Sequence, residues 1–157
     1  MKVNRPVSDQ YATFEVGQHY LGIRVVEVQE VLRAQRLTAV PLAPPAIAGL
    51  INLRGQIILA LEMRNLLRLA ERPETDPALS VVLRTAAGPV SLQVDEIGDV
   101  VEIEGEQIDA PPLNLEPHVK RFLTGVCRMK NRLLLMLDVG RTVDLNAAFP
   151  QTGPELG

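Results

Sequence analysis

Two histidines and one cysteine are the residues of this chain best suited to acid–base or nucleophilic chemistry. An imidazole titrates near neutral pH and can transfer protons, and a thiolate is a strong nucleophile. His19 falls in a predicted hairpin, His118 in a predicted loop, and Cys127 in a predicted strand. None of the three stands beside a recognisable catalytic partner in the sequence. We therefore predict that all three are structural and that the chain has no catalytic residue.

Three closely spaced glutamates are the other candidates for chemistry. Glu102, Glu104 and Glu106 alternate around Ile103, and this pattern favours a strand with one solvated face over a pair of catalytic carboxylates. The sequence has no histidine pair at helical spacing, no Cys-x-x-Cys, no Asp-rich calcium loop and no glycine-rich phosphate loop. Those are the common signatures of metal and nucleotide sites. We expect no metal ion and no cofactor.

The arginines form one modest basic cluster, at Arg24, Arg33 and Arg36. Nucleic-acid binding needs clustered cations with stacking aromatic side chains. The net charge is −3 and aromatic residues make up only 3% of the chain. We therefore expect no nucleic-acid partner, and an RNA-binding β-barrel stays as a distant alternative.

The composition indicates one globular domain. The chain has 157 residues, of which 46% are hydrophobic and 22% charged, and these values suit a single compact unit. The polar N-terminus does not resemble a signal peptide, and there is no apolar run of about 18 residues that could span a bilayer. With one cysteine, no internal disulfide is possible. We expect a cytoplasmic protein without direct membrane contact.

The first half of the chain predicts strands around one helix. Alternating apolar residues over 11–16 and 19–24 indicate a β-hairpin. Across residues 25–33 the apolar side chains recur every three or four positions, which predicts a short amphipathic helix. Prolines in residues 37–45 predict an edge strand that enters a loop. Residues 49–61 predict a hairpin whose turn, Arg54 and Gly55, presents a charge.

The second half predicts further short strands. Residues 62–69 have helical spacing, and residues 71–77 form a charged, proline-broken surface loop. Strands are expected at 79–83, 90–94 and 100–103 and, after a proline-rich loop, at 122–126 and 133–138. Short strands punctuated by Gly and Pro are typical of barrels or a sandwich. We find no sequence repeat strong enough to establish an internal duplication.

Several motifs occur in a fixed order along most of the chain. They are Phe14, Gly17, Tyr20, Ile23, Val28-Gln29-Glu30-Val31, Val40-Pro41, Gly49-Leu50-Ile51-Asn52-Leu53-Arg54-Gly55, Val94-Asp95 and Leu123-Thr124-Gly125. This ordered set, within residues 11–149, resembles the CheW family. The most specific part is the Asn-Leu-Arg-Gly element that ends at Gly55. The sequence departs from the family pattern at Leu59, at Ser91 and over residues 62–64, and we expect these changes to affect partner choice rather than fold.

The resemblance implies a mainly β fold. It implies two small five-stranded SH3-like barrels that pack on a shared apolar core, with short helices. It also implies a tail over residues 1–9, a CheW-like domain over residues 10–149 and a second tail over residues 150–157.

The resemblance further implies a non-catalytic adaptor that couples chemoreceptors to a CheA-type histidine kinase. Its partners would be the regulatory domain of the kinase and the cytoplasmic tip of the receptors, and it would be recruited to membrane-associated receptor arrays. Carried over by position, Val28, Glu30, Val31 and Arg54 would bind the receptor. Relatives of CheW also serve pathways that control pili, surface behaviour or second messengers, so a non-flagellar pathway stays open as an alternative.

Overall fold

The computed structural model describes residues 8–73 and 75–145, and this part of the chain is mainly β. The strands are β1 (Ser8–Val16), β2 (His19–Arg24), β3 (Val28–Leu32), β4 (Ile47–Leu53), β5 (Gln56–Glu62), β6 (Leu79–Thr85), β7 (Gly88–Val94), β8 (Glu96–Glu104), β9 (Ile108–Asp109), β10 (Leu123–Arg128) and β11 (Leu133–Leu137). The helices are α1 (Met63–Leu66), α2 (Pro117–Lys120) and α3 (Val139–Val143), with 3₁₀ turns at Val25–Glu27 and Gly105–Gln107. The predicted mainly β class with short helices is confirmed.

The strands form two curved sheets. The first, called the first barrel below, has the order β8-β1-β2-β11-β10-β9, and the second barrel has the order β3-β6-β7-β5-β4. In each barrel two antiparallel hairpins are joined by one parallel pair of strands, β2 with β11 and β7 with β5. This architecture agrees with the two SH3-like barrels expected from the sequence, with β9 as a sixth, two-residue strand in the first barrel.

The two halves of the chain have the same order of elements. Residues 11–31, which run from within β1 to within β3, correspond without a gap to residues 80–100, which run from within β6 to within β8, each 69 positions later. Residues 49–67 correspond to residues 125–143, each 76 positions later. The sequence did not reveal this repeat, because the matching positions share burial and strand pairing more than residue identity.

The first hairpin of each half is exchanged between the barrels. The hairpin β1–β2 pairs with β8 and β11 from the second half of the chain. The hairpin β6–β7 pairs with β3 and β5 from the first half. Each barrel is therefore assembled from both halves.

The helix predicted over residues 25–33 is wrong. Val25–Glu27 forms one 3₁₀ turn, after which β3 begins at Val28. Val28 and Glu30 pair with consecutive residues of β6, so Gln29 is an extra residue that makes a β-bulge. A bulge shifts the alternation of faces by one position, so Val28 and Val31 share one face of a strand at a spacing of three. That spacing imitates a helix.

Two other predicted boundaries differ from the structure. The edge strand expected within residues 37–45 is reduced to one bridge, in which the backbone of Thr38 bonds that of Leu50 in both directions at 2.9 and 2.8 Å. The strand β1 begins at Ser8, so the last two residues of the predicted N-terminal tail belong to the first barrel. The remainder of that tail and the predicted C-terminal tail lie outside the described residues.

A shared apolar core joins the barrels, as expected. It contains buried side chains from both sheets, among them Phe14, Leu21 and Ile23 from the first barrel and Leu83 and Leu92 from the second. Each barrel also has its own interior cluster, which comprises Tyr11, Ile103, Cys127, Leu134 and Met136 in the first and Leu53, Ile58 and Val82 in the second. Alternate faces of one strand thus pack in different clusters, because side chains alternate along a strand.

One carboxylate ties the barrels together. Asp95, between β7 and β8, accepts a 2.7 Å hydrogen bond from the Gly17 amide in the β1–β2 turn. Arg64 donates to the same carboxylate at 3.0 and 2.7 Å, and Arg72 donates at 2.9 Å. Burial alone raises the pKa of Asp95, but Arg64, the Gly17 amide and Arg72 outweigh it and lower the pKa to about 2.

Arg72 also corrects a prediction. It lies in the segment expected to be a surface loop, yet its side chain is only 10% exposed. Its guanidinium bonds both carboxylate oxygens of Glu62 at 2.8 and 3.0 Å, in addition to Asp95. This bidentate geometry is the strongest that an arginine makes, so the start of the loop is anchored to the second barrel.

Candidate protein-binding site

The three residues first considered for chemistry have structural surroundings. Cys127 is buried in the interior cluster of the first barrel, where burial, with Asp109, raises the pKa of its thiol. His118 lies in α2 rather than in the predicted loop, and its Nε2 is 3.0 Å from a carboxylate oxygen of Glu116. Burial lowers the pKa of His19, whereas Glu116 raises it and His118 lowers it further. The two histidines thus share one neighbourhood, while the thiol is enclosed in the barrel.

Two of the three glutamates lie on a strand as the alternation predicted, and the third does not. Glu102 and Glu104 are exposed on β8 while Ile103 is buried, and Glu106 lies in the following 3₁₀ turn. Within residues 8–73 and 75–145, no three His, Cys, Asp or Glu side chains are grouped so that they could hold a metal ion. Among the helices of the same residues, none is long and apolar enough to cross a membrane.

A tight turn presents Arg54 at the tip of the β4–β5 hairpin. Both turn residues have left-handed backbones, with φ of 52° at Arg54 and 88° at Gly55, as the two-residue turns that suit a twisted hairpin require. The side chain of Asn52 accepts a 2.9 Å hydrogen bond from the Gly55 amide and fixes the turn. Arg54 is consequently displayed with 66% of its side chain exposed.

An ion pair connects this turn to the opposite edge of the same sheet. The guanidinium of Arg54 donates to the carboxylate of Glu30 on β3. Hydrogen bonding to Arg54 is the main reason that the pKa of Glu30 is lowered. Leu32, on the same strand face as Glu30, packs on the interior cluster of the second barrel. The ion pair therefore lies at the open end of that barrel, where it bridges β3 and the β4–β5 hairpin.

The two predicted valines lie on the other face of β3. Val28 packs against the shared core. Val31 is paired with the buried Val81 but is itself 45% exposed, so it extends the apolar face of the shared core to the surface. The structure thus brings all four predicted residues to the β3 edge. Val28 and Val31 lie on one face of it, and Glu30 and Arg54 lie on the other.

Ile57 is a further exposed apolar residue near the Arg54 turn, and it was not predicted. It follows the Arg54 turn, pairs with Asn52 and is 61% exposed. Residues 57–61 form an apolar run in the hairpin predicted over residues 49–61. The available signal was position, because Ile57 lies near the predicted turn, at the tip of the hairpin.

This arrangement offers apolar side chains and one charged turn on a stable scaffold, which suits binding of another protein. A family model described as the CheW-like domain matches residues 10–146. The chain belongs to the CheW-like domain family.

Individual CheW proteins resemble the chain along most of their length. It is 29% identical over 134 residues to the chemotaxis protein CheW of Treponema pallidum, which covers 83% of this chain and 79% of the relative. It is 27% identical over 136 residues to the chemotaxis protein CheW of Bacillus subtilis, with 87% of each chain covered.

A solved CheW structure has the same fold. The crystal structure of the scaffolding protein TtCheW from Thermoanaerobacter tengcongensis matches with a TM-score of 0.79 at 21% identity, over 88% of this chain and 94% of that one. The two barrels and their shared core are therefore the CheW fold.

Proposed function

We propose that this chain is a non-catalytic adaptor that couples chemoreceptors to a CheA-type histidine kinase, and that the β3 edge with the Arg54 turn binds the receptor tip. The observation that carries the proposal is the Arg54 turn, held by Glu30 beside the exposed Val31, in a member of the CheW family. Similar proteins are named chemotaxis proteins and, in one case, a scaffolding protein.

The chemistry of the β3 edge suits a helical partner. A receptor tip is a helical hairpin, and an amphipathic helix binds by laying its apolar stripe against apolar side chains. Val28 and Val31 supply that apolar contact, with Ile57 at the hairpin tip. Arg54 would fix the orientation of the bound helix, because a guanidinium offers several hydrogen-bond donors in a fixed plane.

The Glu30 carboxylate prepares Arg54 for this role. It accepts from one terminal nitrogen of the guanidinium, and no other described group accepts from Arg54. A side chain that is already held in place loses less conformational entropy when a partner binds. The remaining N–H groups of the Arg54 guanidinium are available to donate to a carboxylate or a helix carbonyl on the partner.

The kinase would bind elsewhere on the same molecule. An adaptor must engage the regulatory domain of the kinase and the receptor at once, so the two contacts cannot share the β3 edge. In this proposal the protein works in the cytoplasm and reaches the membrane only through the receptors.

Charge reversal at the ion pair tests the receptor site. Arg54→Glu should abolish binding of a purified receptor-tip fragment in isothermal titration while the far-ultraviolet circular dichroism spectrum stays unchanged. Glu30→Arg combined with Arg54→Glu restores an ion pair with reversed polarity, and it should fold well yet still fail to bind. Binding by that double variant would reduce the role of Arg54 to holding the hairpin.

A matched control comes from the first barrel. Arg132 is another exposed arginine, 3.0 Å from the carboxylate of Glu15, so Arg132→Glu makes the same change in net charge away from β3. Its affinity for the receptor fragment should equal that of the parent protein. Unchanged affinity in Arg54→Glu would remove Arg54 from the interface, and a pull-down with the kinase regulatory domain would test the second partner separately.

A further inference from the structure

The internal repeat places a second set of residues at positions equivalent to the β3 site. Val28, Glu30, Val31 and Arg54 correspond to Ile97, Asp99, Val100 and Lys130. Strand pairing supports the match, because β8 has an extra residue opposite β1 where β3 has one opposite β6. The first barrel therefore carries its own version of the β3 edge, on β8.

Burial follows the same correspondence. Ile97, like Val28, packs against the shared core. Val100 is 56% exposed and Val31 is 45% exposed. Both edges thus begin with an apolar residue in the core and continue with an apolar residue at the surface.

The charges differ between the two edges. Arg54 neutralises Glu30 in the second barrel, whereas neither Asp99 nor Lys130 has an ion-pair partner in the part of the chain that the structure describes. From Asp95 to Asp109 the chain has seven carboxylates and no lysine or arginine. Four of the exposed ones lie on β8 itself, at Glu96, Asp99, Glu102 and Glu104.

The outer edge of β8 is also open. This strand is nine residues long and stands at the end of its sheet, where it pairs with β1 alone among the described strands. Among the described residues, the backbone of β8 bonds beyond β1 only at the end of the strand, where the Glu104 amide donates to the side chain of Gln107 at 2.8 Å. An unpaired edge of this length is a template for one more strand.

We propose that the β8 edge is a second protein-binding surface, which takes a basic, extended segment of a partner protein as an added strand. Backbone hydrogen bonds to β8 align the added strand, and Val100 contacts an apolar side chain of that strand. The carboxylates on both sides of Val100 select lysine or arginine in the added strand and reject an acidic one. The same carboxylates keep the β8 edges of two copies apart.

The proposal is independent of which partner takes the β3 site. The first barrel presents β8 with the hairpin β10–β11, whereas the receptor site uses β3 and the hairpin β4–β5 of the second barrel. A single molecule could therefore hold a receptor and a basic segment together.

A pair of synthetic peptides tests the proposal on the full chain. A nine-residue peptide of alternating lysine and valine is titrated into isotope-labelled protein, and a peptide of alternating glutamate and valine is titrated in parallel. We expect saturable nuclear magnetic resonance shifts in β8 with the basic peptide alone, slower hydrogen exchange of β8 amides, and weaker binding at high salt.

Charge-reversal variants locate the contact. Asp99→Lys with Glu102→Lys should bind the basic peptide roughly tenfold more weakly, with an unchanged circular dichroism spectrum. Glu30→Lys, at the position equivalent to Asp99, makes half of that change in net charge away from β8 and should bind the basic peptide as the parent does. Arg54→Glu should also keep peptide binding, so failure at the receptor site and failure at β8 are distinguishable.

Four results would overturn the proposal. They are the absence of saturable shifts up to about 1 mM peptide, shifts that map away from β8, equal binding of the acidic peptide, and unchanged affinity in the variant with Asp99→Lys and Glu102→Lys.

Discussion

Asp95→Asn should lower the free energy of unfolding by about 2 kcal/mol at neutral pH. The substitution keeps the shape of the side chain and lets the amide oxygen accept from Gly17, but the negative charge is lost and the amide NH₂ cannot accept from Arg64 Nε and Arg72 Nε. The magnitude follows from the pKa of Asp95, which the folded state lowers from 3.8 to about 2. Each pKa unit corresponds to about 1.4 kcal/mol, and the carboxylate is only 17% exposed, so solvent screens little of it.

The pH dependence has a definite sign. Because folding lowers this pKa, the stabilisation is complete well above 3.8 and is lost as the pH falls through about 2. About half of it is already gone at pH 3. The gap in stability between the parent protein and Asp95→Asn should therefore narrow from pH 6 to pH 3.

Urea unfolding followed by far-ultraviolet circular dichroism measures this gap, since the chain has no tryptophan to report by fluorescence. The other carboxylates titrate in both proteins, so the difference between the two isolates Asp95. Glu96→Gln is the matched control, because Glu96 is exposed and has no ion pair among the described residues; it should change stability by less than about 0.5 kcal/mol. A gap of equal size at pH 6 and pH 3 would refute the electrostatic account of this cluster.

Two further predictions concern single side chains. Leu42 has a left-handed backbone, with φ of 65°, and a fully exposed side chain; Leu42→Asn should therefore raise the unfolding free energy by about 0.5–1 kcal/mol, and a lower melting temperature in differential scanning calorimetry would contradict this. Cys127 is buried and its thiol pKa is raised by burial; a thiol-specific reagent should label the native protein at least about a hundredfold more slowly than the urea-unfolded protein, and rapid native labelling would show that the first barrel is open.

Local features of the fold were predictable from the sequence. The hairpin over residues 49–61 was identified correctly, because alternation of apolar residues and the chemistry of a Gly-containing turn are both set by neighbouring residues. The same reasoning placed Arg54 at the exposed tip. The family resemblance led to Glu30, which the structure places in contact with Arg54.

Features that depend on distant residues were not predictable. Arg72 stands in a charged, proline-broken segment, and its partners Glu62 and Asp95 are 10 and 23 residues away. The bulge at Gln29 disguised a strand as a helix, because it moved Val28 and Val31 onto one face. Nothing local marks a bulge of this kind; the pairing with β6 creates it.

The exchange of hairpins between the two halves links the barrels mechanically. The second barrel, β3 to β7, is a continuous stretch of chain inserted between β2 and β8 of the first barrel, so two chain connections and the shared apolar core join the barrels. Two domains on a flexible tether would transmit little torque between their partners. Here a load applied to the second barrel passes through both connections and the shared core into the first, and in the proposed adaptor role this would fix the distance and the angle between the two partners.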